Sequence, residues 1–322
     1  QLTPDQWLNI LALKILGGSS EHTRWSMLTN LMVRDLSALL GCEDEFDAVV
    51  AARNTAAEDY PAYVARLFHS ANITTLVLDC GWPMTHEVPL AACADLLPES
   101  VRPVELSRTE RAFRNYYEYL RTLRYVFEVE TLNPSFDVFA EEFRASLHRA
   151  ADAGAVGYKT TRAYAVGLEI EPISYQEAKA VFQPRIEEFT GYKKIFDFLF
   201  MLTLEIAAER GLPVQVHTGH TSTVIPWPRV NPINMIWALN DPRAQGATIV
   251  LVHAGYPFLA ETGYLCSIYP NVFCDFSLMV PWASIGLARR LEELLEAAPL
   301  SKIMWGSDGI EIPEINWLAA RL

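Results

Sequence analysis

The sequence predicts an α/β protein built as a (β/α)8 barrel, a TIM barrel, with an extra helical region at its N-terminal end. Three observations predict it. Short apolar runs alternate with amphipathic helices from residue 71 onward, the first 70 residues show helical spacing alone, and three of the apolar runs end in a histidine or an aspartate. In a parallel barrel the C-terminal ends of all strands meet at one face, so polar residues placed there converge.

In the helical region, Leu8, Leu11, Leu13 and Ile15, then Leu28, Leu31, Met32, Leu36, Leu39 and Leu40, recur mainly at helical spacings. Residues 1–70 are read as a helical insertion or cap between the first and second strands of a single barrel domain spanning residues 1–322. The strand candidates that follow are Ile73 to Leu78, Arg124 to Leu132, Val156 to Thr160, Val214 to His217, Thr248 to His253, Val272 to Phe276 and Ile303 to Gly306. Helices are expected at Phe136 to Ala153, Tyr192 to Arg210, Pro257 to Ser267 and Ile285 to Ala298. A doubly wound open sheet shares this alternation. However, Gly81-Trp82-Pro83, which follows a strand, lacks the glycine spacing of a dinucleotide loop. The stretch Ser222 to Pro232 is read as a long loop after a strand, on the active face of the barrel.

Composition narrows the partners. With 51% hydrophobic residues the chain can bury a large core, and its longest apolar runs are broken by charge well short of the roughly 20 residues of a membrane span. The formal charge of -13 argues against nucleic acid and anionic membranes, which need a basic surface. A small-molecule substrate and a homo-oligomeric assembly are expected. Five scattered cysteines without a CxxC pair fit a reducing cytoplasm.

The polar strand ends carry the chemistry. Pro213-Val214-Gln215-Val216-His217 and Ile249-Val250-Leu251-Val252-His253 each end in histidine, and Ile303-Met304-Trp305-Gly306-Ser307-Asp308 ends in aspartate. Imidazole nitrogen with carboxylate oxygen suits a divalent metal, zinc first, with manganese or iron as alternatives. Such a metal activates water for hydrolysis, and an aspartate beside it serves as general base and then general acid. A single strand-end histidine is usually structural, but two with an aspartate at matching ends point to a site. His220 is three residues beyond His217, off its strand face, and is read as a loop residue near substrate.

The segments QVHTG (Gln215 to Gly219), LVHAGYPF (Leu251 to Phe258), NVFCDFS (Asn271 to Ser277), WGSDG (Trp305 to Gly309) and VGYKTTRAYAVGL (Val156 to Leu168) resemble the FluG/nodulin branch of the amidohydrolase superfamily. The resemblance runs from about Ser20 to the end of the sequence. It implies His217 as the metal ligand on the fifth barrel strand, and His253 on the sixth as a second ligand or a polariser of the substrate carbonyl. It also implies Asp308 on the eighth as ligand and proton shuttle. Lys159, at the fourth strand end, takes the position where some superfamily members carry a carboxylated lysine, and a lysine holding a substrate carboxylate is the preferred role here. Glu130, at the end of the third strand candidate, is a further ligand or substrate contact. Arg162, Tyr164, Trp227 and Arg229 are candidates for the pocket wall.

The implied activity is metal-dependent hydrolysis of an amide or related C–N bond, with a γ-glutamyl amide as a candidate. The alternatives are a decarboxylase of the aminocarboxymuconate-semialdehyde decarboxylase type and a barrel without catalysis. One departure stands out: superfamily members open with a first strand ending in His-x-His, and no such pair occurs in these residues. The expectation is that the complete coding sequence supplies that strand upstream of Gln1.

Overall fold

The computed structural model describes residues 1–14, 20–81, 89–112, 127–128, 135–221, 225–309 and 312–322. Seven parallel strands form one sheet of the barrel type: β1 (Thr75–Asp79), β2 (Arg102–Arg108), β4 (Gly157–Thr160), β6 (Val214–His217), β7 (Ile249–Val252), β8 (Val272–Asp275) and β9 (Ile303–Met304), in that spatial order. Every neighbouring pair is parallel, and helices join successive strands. The sequential order follows from this, because each strand–helix–strand unit returns beside its predecessor. The chain is a TIM-barrel α/β protein with a helical N-terminal region.

Among the described residues five helices precede β1: Pro4–Lys14, Ser20–Thr23, Met27–Leu40, Phe46–Ala56 and Tyr60–Ser70. Their apolar faces, with Trp7, Leu11, Leu28, Met32, Leu36, Val49, Leu67 and Phe68 buried, close around Trp317 and Leu318 of the C-terminal helix Pro313–Arg321. Where these elements meet, Glu314 is fully buried and its carboxylate accepts from Arg53 Nε at 2.7 Å and Tyr63 Oη at 2.9 Å. The second core lies between the sheet and the helices Phe136–Asp152, Phe189–Arg210 and Leu259–Ile268. Caps fix where these helices begin and end. Ser135 Oγ accepts from Val138 N at the start of the first, and Gly211, in the left-handed region at φ 64°, ends the second.

Among the sheet strands, one expectation is corrected. The run Arg124 to Leu132 is not the third strand of the large sheet where it is described: Phe127–Glu128 (β3) pairs antiparallel with Arg185–Ile186 (β5) in a separate two-stranded sheet. The position beside β1 belongs to Arg102–Arg108, a polar run with proline second. Proline is tolerated near the start of a strand, and this strand passes from exposed at Arg102 to buried at Leu106–Arg108. Its charged end points into the functional face rather than into a core, which is why hydropathy passed over it. No described helix is long and apolar enough to cross a membrane.

Candidate metal centre

Residues on adjacent parallel strands that share a register leave the sheet on the same side, and residues two apart on one strand do so as well. Arg108 is in register with Lys159, Lys159 with Gln215, and His217 with Val252. His217 therefore emerges on the side that carries Arg108 and Lys159. Asp79 joins them, because its register partner is Leu106, two residues before Arg108. Tyr158 leaves on the other side, where its hydroxyl donates to Leu147 O at 2.9 Å in the outer helix layer.

The backbone bends sharply where β7 ends. His253, Ala254 and Gly255 all adopt left-handed conformations at φ 67°, 46° and 65°. Such values in non-glycine residues cost on the order of 1–3 kcal/mol each and persist where the surroundings over-determine them. Here Asp275 Oδ1 accepts from His253 N at 3.0 Å, Thr218 Oγ1 donates to Val252 O at 2.6 Å, and Thr262 Oγ1 donates to Ala254 O at 2.7 Å. Gly219, at φ 72°, lets the loop after β6 pass against this bend: an added Cβ would meet Tyr256 O at 2.3 Å. Its neighbour His220 donates its backbone N–H to Tyr256 O at 2.8 Å, tying the two loops together.

The result is a pair of buried imidazoles. His217 Nδ1 and His253 Nε2 are 3.2 Å apart, and their ring centroids are 4.6 Å apart. The other ring nitrogens are assigned by their partners. His217 Nε2 lies 2.9 Å from His220 O, a carbonyl that can only accept, so Nε2 carries the proton. His253 Nδ1 lies 2.7 Å from Ser277 Oγ, and that hydroxyl spends its single proton on the Asp275 carboxylate, so Nδ1 also carries a proton. With both rings neutral and protonated on their outer nitrogens, two lone pairs face each other, an arrangement that suits a cation between them.

The spacing fits a metal. Two nitrogens at about 2.0–2.1 Å from a tetrahedral zinc lie about 3.3–3.4 Å apart, close to the distance found. Outer hydrogen bonds from each ring to a carbonyl and to a carboxylate-backed hydroxyl are the usual supports of metal-binding histidines. Burial, first, then the neighbouring His253 and Lys159, hold the His217 pKa well below the ordinary imidazole value, which keeps it an uncharged donor. Asp308, exposed and at φ 50° beyond β9, acts electrostatically on His217, Lys159 and Tyr164, which places it on the same face. Among the described residues no set of three or more His, Cys, Asp or Glu side chains is close enough together to hold a metal. The histidine pair by itself therefore offers two candidate ligand nitrogens.

Two of the remaining candidates, Tyr164 and Trp227, carry rings that pack against His217 and His220. The Tyr164 ring lies 4.4 Å from that of His217, and burial pushes its hydroxyl pKa up. Trp227, half exposed, packs edge-on to His220 at 5.3 Å, beside the pair. Lys159 is buried on the strand-end face, and burial lowers its pKa. Arg229 donates to Glu169 and to Val166 O, in the segment after β4. Glu130 lies outside the described residues.

The Arg162 expectation is corrected by its surroundings. Its guanidinium pairs with Asp197 and donates to Gly167 O at 3.2 Å and Phe196 O at 3.1 Å, inside the layer between sheet and helices. It pins that layer, with its donors turned to the protein. Asp275 and Ser277 were missed as site residues, as were Asp79 and Arg108. All but Ser277 lie at the ends of strands, the signal that singled out His217.

Comparison with known proteins shows the family and supports the fold. The profile of the family described as Amidohydrolase matches residues 134–321, more than half of the chain and the part that holds His217, His253 and Asp308. The chain belongs to the amidohydrolase family. This family is metal-dependent in general. Protein fluG of Emericella nidulans is 31% identical over 208 residues, covering 58% of the chain and 23% of that protein. The match thus spans less than a quarter of its length. A crystal structure of an inferred metal-dependent hydrolase from Lactobacillus casei ATCC 334 superposes with a TM-score of 0.78 at 23% identity, over 99% of this chain and 80% of that one. A uronate isomerase from Bacillus halodurans C-125 gives a TM-score of 0.56 at 14% identity, over 99% of this chain and 78% of that one. At these identities the two structures support the fold.

Proposed function

We propose that this amidohydrolase-family chain is a metal-dependent hydrolase of an amide or related C–N bond in a small molecule, with a γ-glutamyl amide as the candidate substrate. The observation that carries the reading is the pair of inward-facing ring nitrogens of His217 and His253, 3.2 Å apart with both outer nitrogens committed. A divalent metal bound there, zinc first among the candidates, supplies Lewis-acid polarisation of the scissile carbonyl and of water.

The chain's own residues do the rest. His217 and His253 would hold the metal through Nδ1 and Nε2, and the Asp275–Ser277 pair keeps the His253 proton on Nδ1. Asp308, exposed on the same face, takes a proton from the attacking water and returns it to the leaving nitrogen, as general base and then general acid. Tyr164 packs against His217 and limits its ring to one orientation.

Metal content of the purified protein, followed by a screen of amides for release of amine or ammonia, tests the reading. Amide cleavage that stops with a chelator and returns with zinc supports it. A metal-loaded protein that releases carbon dioxide without consuming water, or that cleaves no amide, overturns it.

A further inference from the structure

Beside the histidine pair, the strand-end face carries two basic side chains, one of them already paired, and we infer that the other, Lys159, forms a subsite for a single carboxylate of the substrate as its direct ion partner. The inference rests on reading this face as the active site, and not on which reaction the face carries out.

Arg108 and Lys159 are register partners on neighbouring parallel strands, so both side chains leave the sheet on the side of His217. Their states differ. Arg108 is committed: Nε and Nη2 bind the two oxygens of Asp79, and Nη1 donates to Thr161 Oγ1 at 2.9 Å. Lys159 is 8% exposed, and among the described residues its ammonium makes no hydrogen bond or ion pair. Asp275, Asp308 and Asp79 act on it only from beyond ion-pair contact, and burial outweighs them.

A buried charge is costly unless it is paired and hydrogen-bonded. A ligand carboxylate entering this face supplies the missing partner, and a neutral ligand does not. The same three aspartates set the ligand's charge: they repel a phosphate dianion more strongly than a monoanionic carboxylate. One ammonium also acts as a point charge and lacks the planar fork with which a guanidinium grips two phosphate oxygens. Arg108 is neutralised by its pairing with Asp79, which leaves Lys159, among the described residues, as the cation on this face without an ion partner. Asp79 and Arg108 lie outside residues 134–321, the stretch matched by the family profile, and Lys159 lies inside it.

The test is equilibrium binding to the full chain at pH 7, with and without a chelator. The probes are glutaramate, its neutral analogue glutaramide, and inorganic phosphate. Wild-type protein is expected to bind glutaramate at least about tenfold tighter than glutaramide, as for a charge-assisted hydrogen bond, and to keep that preference in chelator. Lys159→Met is expected to abolish the preference and Lys159→Arg to retain part of it. Equal affinity for the two probes, tighter binding of phosphate, or a preference lost in chelator overturns the subsite even if no variant folds. A folded Lys159→Met protein that keeps the preference also overturns it. A protein that prefers glutaramate yet cleaves no amide keeps the subsite and removes the hydrolase reading, so the two failures are distinct.

Discussion

Asp275 reaches His253 by two routes: its Oδ1 accepts the His253 backbone N–H at 3.0 Å, and through the Ser277 hydroxyl it fixes the proton on ring Nδ1. One carboxylate thereby holds both the left-handed backbone of His253 and the tautomer that leaves Nε2 free of a proton for a metal. Removing the hydroxyl breaks the second route and spares the first. Ser277→Ala is expected to lower metal affinity about 10- to 100-fold while leaving the fold intact, and Ser277→Thr to restore most of it. A competition titration against a chromophoric chelator measures this, and unchanged affinity in Ser277→Ala removes the relay.

The two histidines are not equivalent. His217 stands on a regular strand end with its ring bonded to a backbone carbonyl, while His253 sits on a left-handed bend and its ring is held through a side-chain hydroxyl. His217→Ala is expected to retain less metal after dialysis than His253→Ala. Equal loss would point to a second metal that depends on His253.

Asp308 stands apart from the ligand pair in exposure, which suits a group that exchanges protons with water. Asp308→Asn keeps the shape and loses the base. Turnover of a cleaved amide is expected to fall about 10²- to 10⁴-fold with the unfolding midpoint unchanged. A fall of less than tenfold excludes Asp308 as the proton carrier.

How much of this was legible depended on where each side chain points. Val214 to His217 was predicted with its observed bounds because Val214 and Val216 bury apolar side chains, and the helix at Phe136 was readable from its apolar face. Arg102–Arg108 was not, since its side chains serve the charged face, and hydropathy marks only what faces a core. The Leu76-Val77-Leu78-Asp79 run and the Val272-Phe273-Cys274-Asp275 run show the same apolar-then-polar ending as the histidine strands. Applied to every strand, that criterion finds Asp79 and Asp275. The left-handed backbone of His253 and the commitment of Arg162 to Asp197 depend on contacts distant in sequence, and no local pattern encodes them.

Arg162 and Asp197 give the last prediction, which separates a structural role for this arginine from a substrate contact. The pair is buried, with side-chain exposures of 1% and 0%, but the two partners are unequally supported. Asp197 also receives Lys193 Nζ at 2.6 Å and the Glu171 backbone N–H at 3.2 Å, so it keeps a counterion when Arg162 is removed. Among the described residues Arg162 has no second carboxylate partner; Gly167 O and Phe196 O are neutral acceptors. Removing the acid therefore leaves a buried cation with carbonyls alone, and removing the base leaves a paired acid. Asp197→Ala is expected to destabilise the protein by about 3–5 kcal/mol, the cost of breaking a buried pair, and Arg162→Met by clearly less. Urea unfolding of both variants measures the order. Arg162→Met should also leave KM for a cleaved amide unchanged. A raised KM at unchanged stability would return Arg162 to the pocket wall.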